Sequence, residues 1–147
     1  MPFSDRFRHQ HELAAAAARQ LRCLVDGHRP GGDTVAIATQ LARLFSGLRN
    51  HLAEEEQCLY RALAAARNRD AAALARRYHQ EMGSLAWDWE EFMQRWSSSA
   101  MIALNFTAFE YALDRLLGAL DARIECENAT LYPLADALFA DLRGRAA

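Results

Sequence analysis

The chain states one helical paragraph twice. Residues His51 to Tyr60 read H-L-A-E-E-E-Q-C-L-Y and residues Arg123 to Tyr132 read R-I-E-C-E-N-A-T-L-Y, about 72 positions further on. At that offset Leu41, Leu44, Leu48, Glu55, Leu59 and Tyr60 fall on the identical residues Leu113, Leu116, Leu120, Glu127, Leu131 and Tyr132. Apolar residues returning every third or fourth position mark a buried helix face, whereas a strand would need strict alternation, which no segment has. Set into each face is a Glu. A carboxylate in an apolar stripe must be unpaired, protonated or bound to something. An inward carboxylate on each of two helices, one of them with His51 a single turn before it, is how a helical bundle builds a metal site.

Three breaks divide the helices. Asp26-Gly27-His28-Arg29-Pro30-Gly31-Gly32-Asp33 ends one helix with glycines and offers Asp33 as the cap of the next. Arg67-Asn68-Arg69-Asp70 is a second break that again ends in a capping residue, and Ser97 to Asn105 is a third, with a short helical turn around Met101 to Leu104. The pattern predicts helices near 3–26, 33–66, 70–96 and 106–142. With 147 residues the chain fits one domain, 1–147, with one core that removes roughly 68–70% of the unfolded surface from water. Short connections make sequential helices antiparallel neighbours, so the expected fold is all-α, an up-down-up-down four-helix bundle.

Charge and hydropathy exclude several functions. The formal net charge is −2 and no basic block occurs, so nucleic acid and acidic membrane surfaces are not expected partners. No run of about 18 apolar residues exists to span a bilayer, and the first residues lack a signal peptide's apolar core. The expectation is a cytoplasmic protein. Cys23, Cys58 and Cys126 have no C-x-x-C spacing and read as buried, reduced thiols.

Heights along the helices collect the polar residues in one layer. At a rise of 1.5 Å per residue His11 lies roughly 25 Å from the first turn, and His51 and Glu55 lie roughly 27–33 Å from it on the returning helix. His79 and Glu81 on the third helix, and Glu127 on the fourth, fall near the same level. Direction around each axis, at roughly 100° per residue, aims Glu55 and Glu127 inward and leaves His51 about 60° off its stripe. On the third helix Glu81 is about 60° from the stripe of Leu74, Tyr78, Met82, Leu85, Trp89, Phe92 and Trp96, and His79 about 100°. His11 flanks its stripe more closely than His9. Glu54 and Glu56 read as a solvated face and His28 as a surface loop residue. Tyr60 and Tyr132 read as packing at the bundle's end, and Trp87, Trp89 and Trp96 as core or surface fillers.

These residues resemble the hemerythrin-like, or HHE cation-binding, domain family. The match covers essentially the whole chain. His11 in R-H-Q-H-E-L looks like the first-helix ligand, His51 with Glu55 reproduces the second-helix H-x-x-x-E, and R-I-x-x-E-N-x-x-L-Y-P-L-A-D looks like the fourth-helix motif. The resemblance implies a four-helix bundle around a non-haem di-iron site. Two departures stand out: Arg123 replaces the fourth-helix His, and the third-helix His79 is followed four residues later by Gly83 rather than a second ligand. The five-His site of the oxygen carriers therefore cannot assemble. What the resemblance leaves is a carboxylate-rich metal set, His11, His51, Glu55 and Glu127 with one or both of Glu81 and His79. Such ligands suit iron, di-iron first, with manganese or zinc as alternatives. Arg123 is placed to pair with Glu81 or Glu127 or to fill the space of a second metal.

The implied function is a metal-binding or sensing protein that handles iron, dioxygen or a related diatomic gas. Two other classes stand beside it, a di-metal oxidase or peroxidase-type enzyme and a metal-free helical interaction module.

Overall fold

The computed structural model describes residues 1–146, and among them every regular element is a helix. Helix α1 runs Asp5–Asp26 and α2 runs Val35–Glu54. A π-helical turn over Glu55–Tyr60 joins α2 to the short α3, Arg61–Ala64, so that the three form one rod. Helix α4 runs Arg69–Trp96 and a short α5 spans Ser99–Leu104. A last rod combines α6, Phe106–Cys126, a second π-helical turn over Glu127–Leu131, and α7, Tyr132–Ala146. Four long rods result, consistent with a four-helix bundle. Helix α1 packs against α2 and α6, and α4 against α3 and α6.

The local signals mostly act as the sequence predicts, with two changes. The cap position of α2 is Thr34, one residue past Asp33, whose Oδ1 accepts from the Val35 amide at 2.8 Å, and Gly31, with φ 79°, makes the turn before it. At the second break the cap likewise differs, Asn68 and not Asp70: its Oδ1 accepts from the amides of Asp70 and Ala71 at 3.0 and 3.1 Å. Side chains two and three residues before the bonded amides reach them best, which favours Asn68. The second change is the pair of π turns, where the pattern predicts unbroken α-helix. Each begins at one of the inward Glu residues. An extra residue per turn rotates everything beyond it, and such turns gather at functional sites.

The apolar interior is two clusters with a polar layer between them. The larger holds Leu21, Leu41, Leu44, Phe45, Leu48, Trp89, Trp96, Phe109 and Leu113 among others. The smaller holds Phe7, Leu59, Tyr60, Leu63, Tyr78, Leu131, Tyr132 and Ala135. Along α1 the polar His11 separates Phe7 from Ala18. On the second rod His51 and Glu55 separate Leu48 from Leu59, and on the last rod Arg123 and Glu127 separate Leu120 from Leu131. Trp89 and Trp96 are core and Trp87 is exposed. The cysteines depart from expectation: Cys23 and Cys126 are exposed and Cys58 half-buried, because each sits on a helix flank outside the stripe.

Phe109, fully buried among Trp96, Phe92 and Phe106 with ring centroids 5.5 to 6.1 Å away, anchors the end of the bundle remote from the polar layer. Phe109→Ala is expected to cost about 3–5 kcal/mol in urea unfolding by leaving a cavity, with metal content unchanged. A loss below about 1 kcal/mol would mean the aromatic cluster is not packed as described.

Candidate metal centre

Three of the four rods deliver polar residues to the layer, each for a local reason. His11 sits one turn after Phe7 on the buried stripe of α1, and His51 and Glu55 are one turn apart at the junction of α2 with its π turn. Arg123 and Glu127 hold the matching positions on the last rod. All five are buried.

Four of them converge. His11, His51, Glu55 and Glu127 each place a ligand atom within 4.8 Å of the others. His11 Nε2 lies 3.1 Å from His51 Nε2, His51 Nε2 lies 3.3 Å from Glu55 Oε1, and His11 Nε2 lies 3.8 Å from Glu127 Oε1. Donors bound at about 2.1 Å to one cation are spaced about 3–4 Å from each other, so the spacing fits a metal.

Neighbours outside the cluster set the orientation of its rings. The Nδ1–H of His11 donates to Asn128 Oδ1 at 2.9 Å, and that of His51 donates to Gln10 Oε1 at 2.7 Å. An amide oxygen only accepts, so each Nδ1 carries a hydrogen and each Nε2 is the ring nitrogen turned into the layer. Burial, reinforced by His51, pushes the His11 imidazole down to about 4 despite the Asn128 hydrogen bond. It is therefore neutral at physiological pH, as a ligand must be.

The two carboxylates are not equivalent. Burial alone would raise Glu55, but the hydrogen bonds and charge of His51, helped by the Tyr132 hydroxyl, hold it below the usual range. Burial and the adjacent Glu55 push Glu127 up to about 8 against the pull of Arg123. Glu55 Oε2 is buried without any hydrogen-bond partner. An ionised oxygen left this way is costly unless a cation faces it.

Arg123 occupies the side of the layer toward α4. Its Nη2 donates to Tyr60 Oη at 2.9 Å and to the Tyr78 carbonyl at 2.8 Å. Its Nε lies 3.2 Å from Glu127 Oε1, a charge contact too poorly aligned to be a hydrogen bond. The guanidinium also stacks over the Tyr78 ring, 4.6 Å from its centroid. Burial opposes its charge, but Glu127, Tyr60 and Glu55 together outweigh burial and keep it charged.

The two third-helix candidates stay outside the cluster. Glu81 is about half exposed; it pairs with Arg77 at 3.2 Å and touches the layer only through Arg123 at 3.5 Å. His79 is equally exposed and pairs with Glu56 on the surface. Tyr78 and Met82 take the seam on α4, which turns residues 79 and 81 to its two rims. On α1, His9 pairs with Glu12 at the surface, 3.7 Å away, while His11 faces inward. His28 is half-buried and stacks on Phe106.

Four participants were not visible as such in the sequence. Gln10 and Asn128 carry no pattern that marks them as orienting groups, since each acts across a helix pair. Tyr60 and Tyr132, expected at the bundle's end, enter the layer instead. Each reaches the carboxylate of the other repeat: Tyr132 Oη donates to Glu55 Oε1, and Tyr60 Oη donates to Glu127 Oε2 at 3.4 Å. In an α-helix a residue five positions on is turned about 140° away. The π turns shorten that angle, and their placement at both Glu-x-x-x-x-Tyr segments was the missing signal.

The family model for the hemerythrin HHE cation binding domain matches residues 3–135. No curated protein and no solved structure matches the chain significantly.

Proposed function

The chain belongs to the hemerythrin HHE cation-binding domain family, and from that premise we propose that it is a metal-binding or sensing protein that holds one iron ion in the polar layer of an up-down-up-down bundle. His11, His51, Glu55 and Glu127 are the proposed ligands. The observation that carries this reading is the convergence of four buried ligand atoms, from His11, His51, Glu55 and Glu127, all within 4.8 Å of one another, with both imidazole Nδ1 atoms committed to amide oxygens so that each Nε2 faces the layer. A metal-free helical module would have no need of such a cluster and would leave Glu55 Oε2 orphaned.

Arg123 supports a single metal rather than two. A guanidinium only donates hydrogen bonds and never gives up its charge, so beside Glu127 it takes the electrostatic place of a second cation. Two nitrogens and two carboxylates suit iron or manganese, with zinc the alternative. A bound iron would supply a redox-active Lewis acid able to engage a small diatomic such as dioxygen. The chain's own part is to hold the rings by Gln10 and Asn128, to keep bulk water out with Phe7, Leu48 and Leu59, and to fix one positive charge at Arg123. No described helix is long and apolar enough to cross a membrane.

Protein purified from cells grown with added iron is expected to carry about one metal per chain, and iron is expected to be retained over manganese and zinc in competition. Retention of none of the three at a stoichiometric level would overturn the reading.

A further inference from the structure

A phenol oxygen lies inside the donor layer. Tyr132 is fully buried, its Oη donates to Glu55 Oε1, and it lies 3.0 Å from His11 Nε2. With the 3.1 Å between the two imidazoles and the 3.3 Å from His51 to Glu55, the four atoms close a ring. The tyrosine oxygen is as near to His11 and Glu55 as neighbouring donors of the cluster are to one another. A group that merely supported a ligand from behind would sit on its far side, as Asn128 and Gln10 do on the Nδ1 atoms.

We propose that Tyr132 is itself a ligand to the cation, giving a set of two nitrogens and three oxygens from His11, His51, Glu55, Glu127 and Tyr132. The proposal rests on the metal reading above and adds to it a specific chemical preference. On binding, the phenol O–H bond breaks, its proton and the one held by Glu127 leave to solvent, and the oxygen lone pair forms the bond to the metal; no electron is transferred. Two carboxylates and a phenolate then balance a trivalent charge, and hard anionic oxygens favour ferric over ferrous iron.

The other tyrosine of the repeat is the internal contrast. Tyr60 Oη accepts from Arg123 Nη2 at 2.9 Å and meets only Glu127 Oε2, at 3.4 Å. Its oxygen belongs to the guanidinium, not to the donor ring. The asymmetry follows from the repeat: where His51 stands one turn before Glu55, Arg123 stands one turn before Glu127. Each tyrosine crosses to the opposite carboxylate, so Tyr132 meets a histidine ligand and Tyr60 meets an arginine.

The test is to load the metal-free protein with ferric citrate and record the visible spectrum and the iron content of the same samples, for the parent, Tyr132→Phe and Tyr60→Phe. A phenolate-to-iron(III) charge-transfer band is expected in the parent and in Tyr60→Phe, and is expected to be lost in Tyr132→Phe. Resonance Raman excitation within the parent's band should show phenolate ring modes, which requires no variant to fold. Iron bound without that band, or a band that survives Tyr132→Phe, overturns the tyrosine ligand alone. Failure of the parent to bind iron at all overturns the assignment of iron to the site and this proposal with it.

Discussion

Replacing His51 and Glu55 together with Ala is expected to reduce metal affinity by at least about 100-fold, since even loss of an outer partner of a metal ligand costs about 10–100-fold. The two residues supply adjacent donors from one helix, His51 Nε2 and Glu55 Oε1 at 3.3 Å, at a spacing the helix sets without further folding cost. The fold is expected to survive, because the apolar clusters on either side of the layer do not include either residue. Metal analysis after loading, alongside circular dichroism, checks both halves. Unchanged metal content in a folded double variant would place the site elsewhere. A variant that loses its helical signal would mean the polar layer carries more of the stability than the apolar clusters suggest.

Changing Arg123 is expected to alter how many metals the protein takes. Arg123→His removes the buried charge beside Glu127 and completes H-x-x-x-E on the last rod, matching His51 and Glu55 on the second. Metal content is expected to rise from about one toward about two per chain, with Glu127, Glu81 and Tyr60 vacated by the guanidinium. Arg123→Met is the control. It removes the charge and the hydrogen bonds to Tyr60 and the Tyr78 carbonyl without adding an imidazole. It should therefore stay near one metal, and the metal-free protein should lose about 1–3 kcal/mol in urea unfolding from the buried groups left unpaired. A stoichiometry that stays at one in Arg123→His would show that the space beside Glu127 cannot hold a second cation, whatever charge occupies it.

The sequence by itself determined the helical fold and the level at which polar groups meet. Periodicity around each axis and the rise along it are local properties of a helix, so Glu55 and Glu127 could be aimed inward, His11 preferred to His9, and His51 set at the height of His11 before any contact was known. The same arithmetic set the helix ends to within a few residues, because Gly and Asn punctuate the chain locally. It did not decide the third helix, where Glu81 flanked the stripe more closely than His79, at about 60° against about 100°, yet the buried Tyr78 and Met82 turned both of them to the rims. Nor did it place Tyr60 and Tyr132, which reach the carboxylates only because an extra residue in each π turn rotates the chain after Glu55 and Glu127. Gln10 on His51, Asn128 on His11 and Arg123 on Tyr60 are likewise tertiary facts. Each joins residues of different rods, and a hydrogen bond between rods depends on their mutual rotation and separation, which no spacing within one helix encodes.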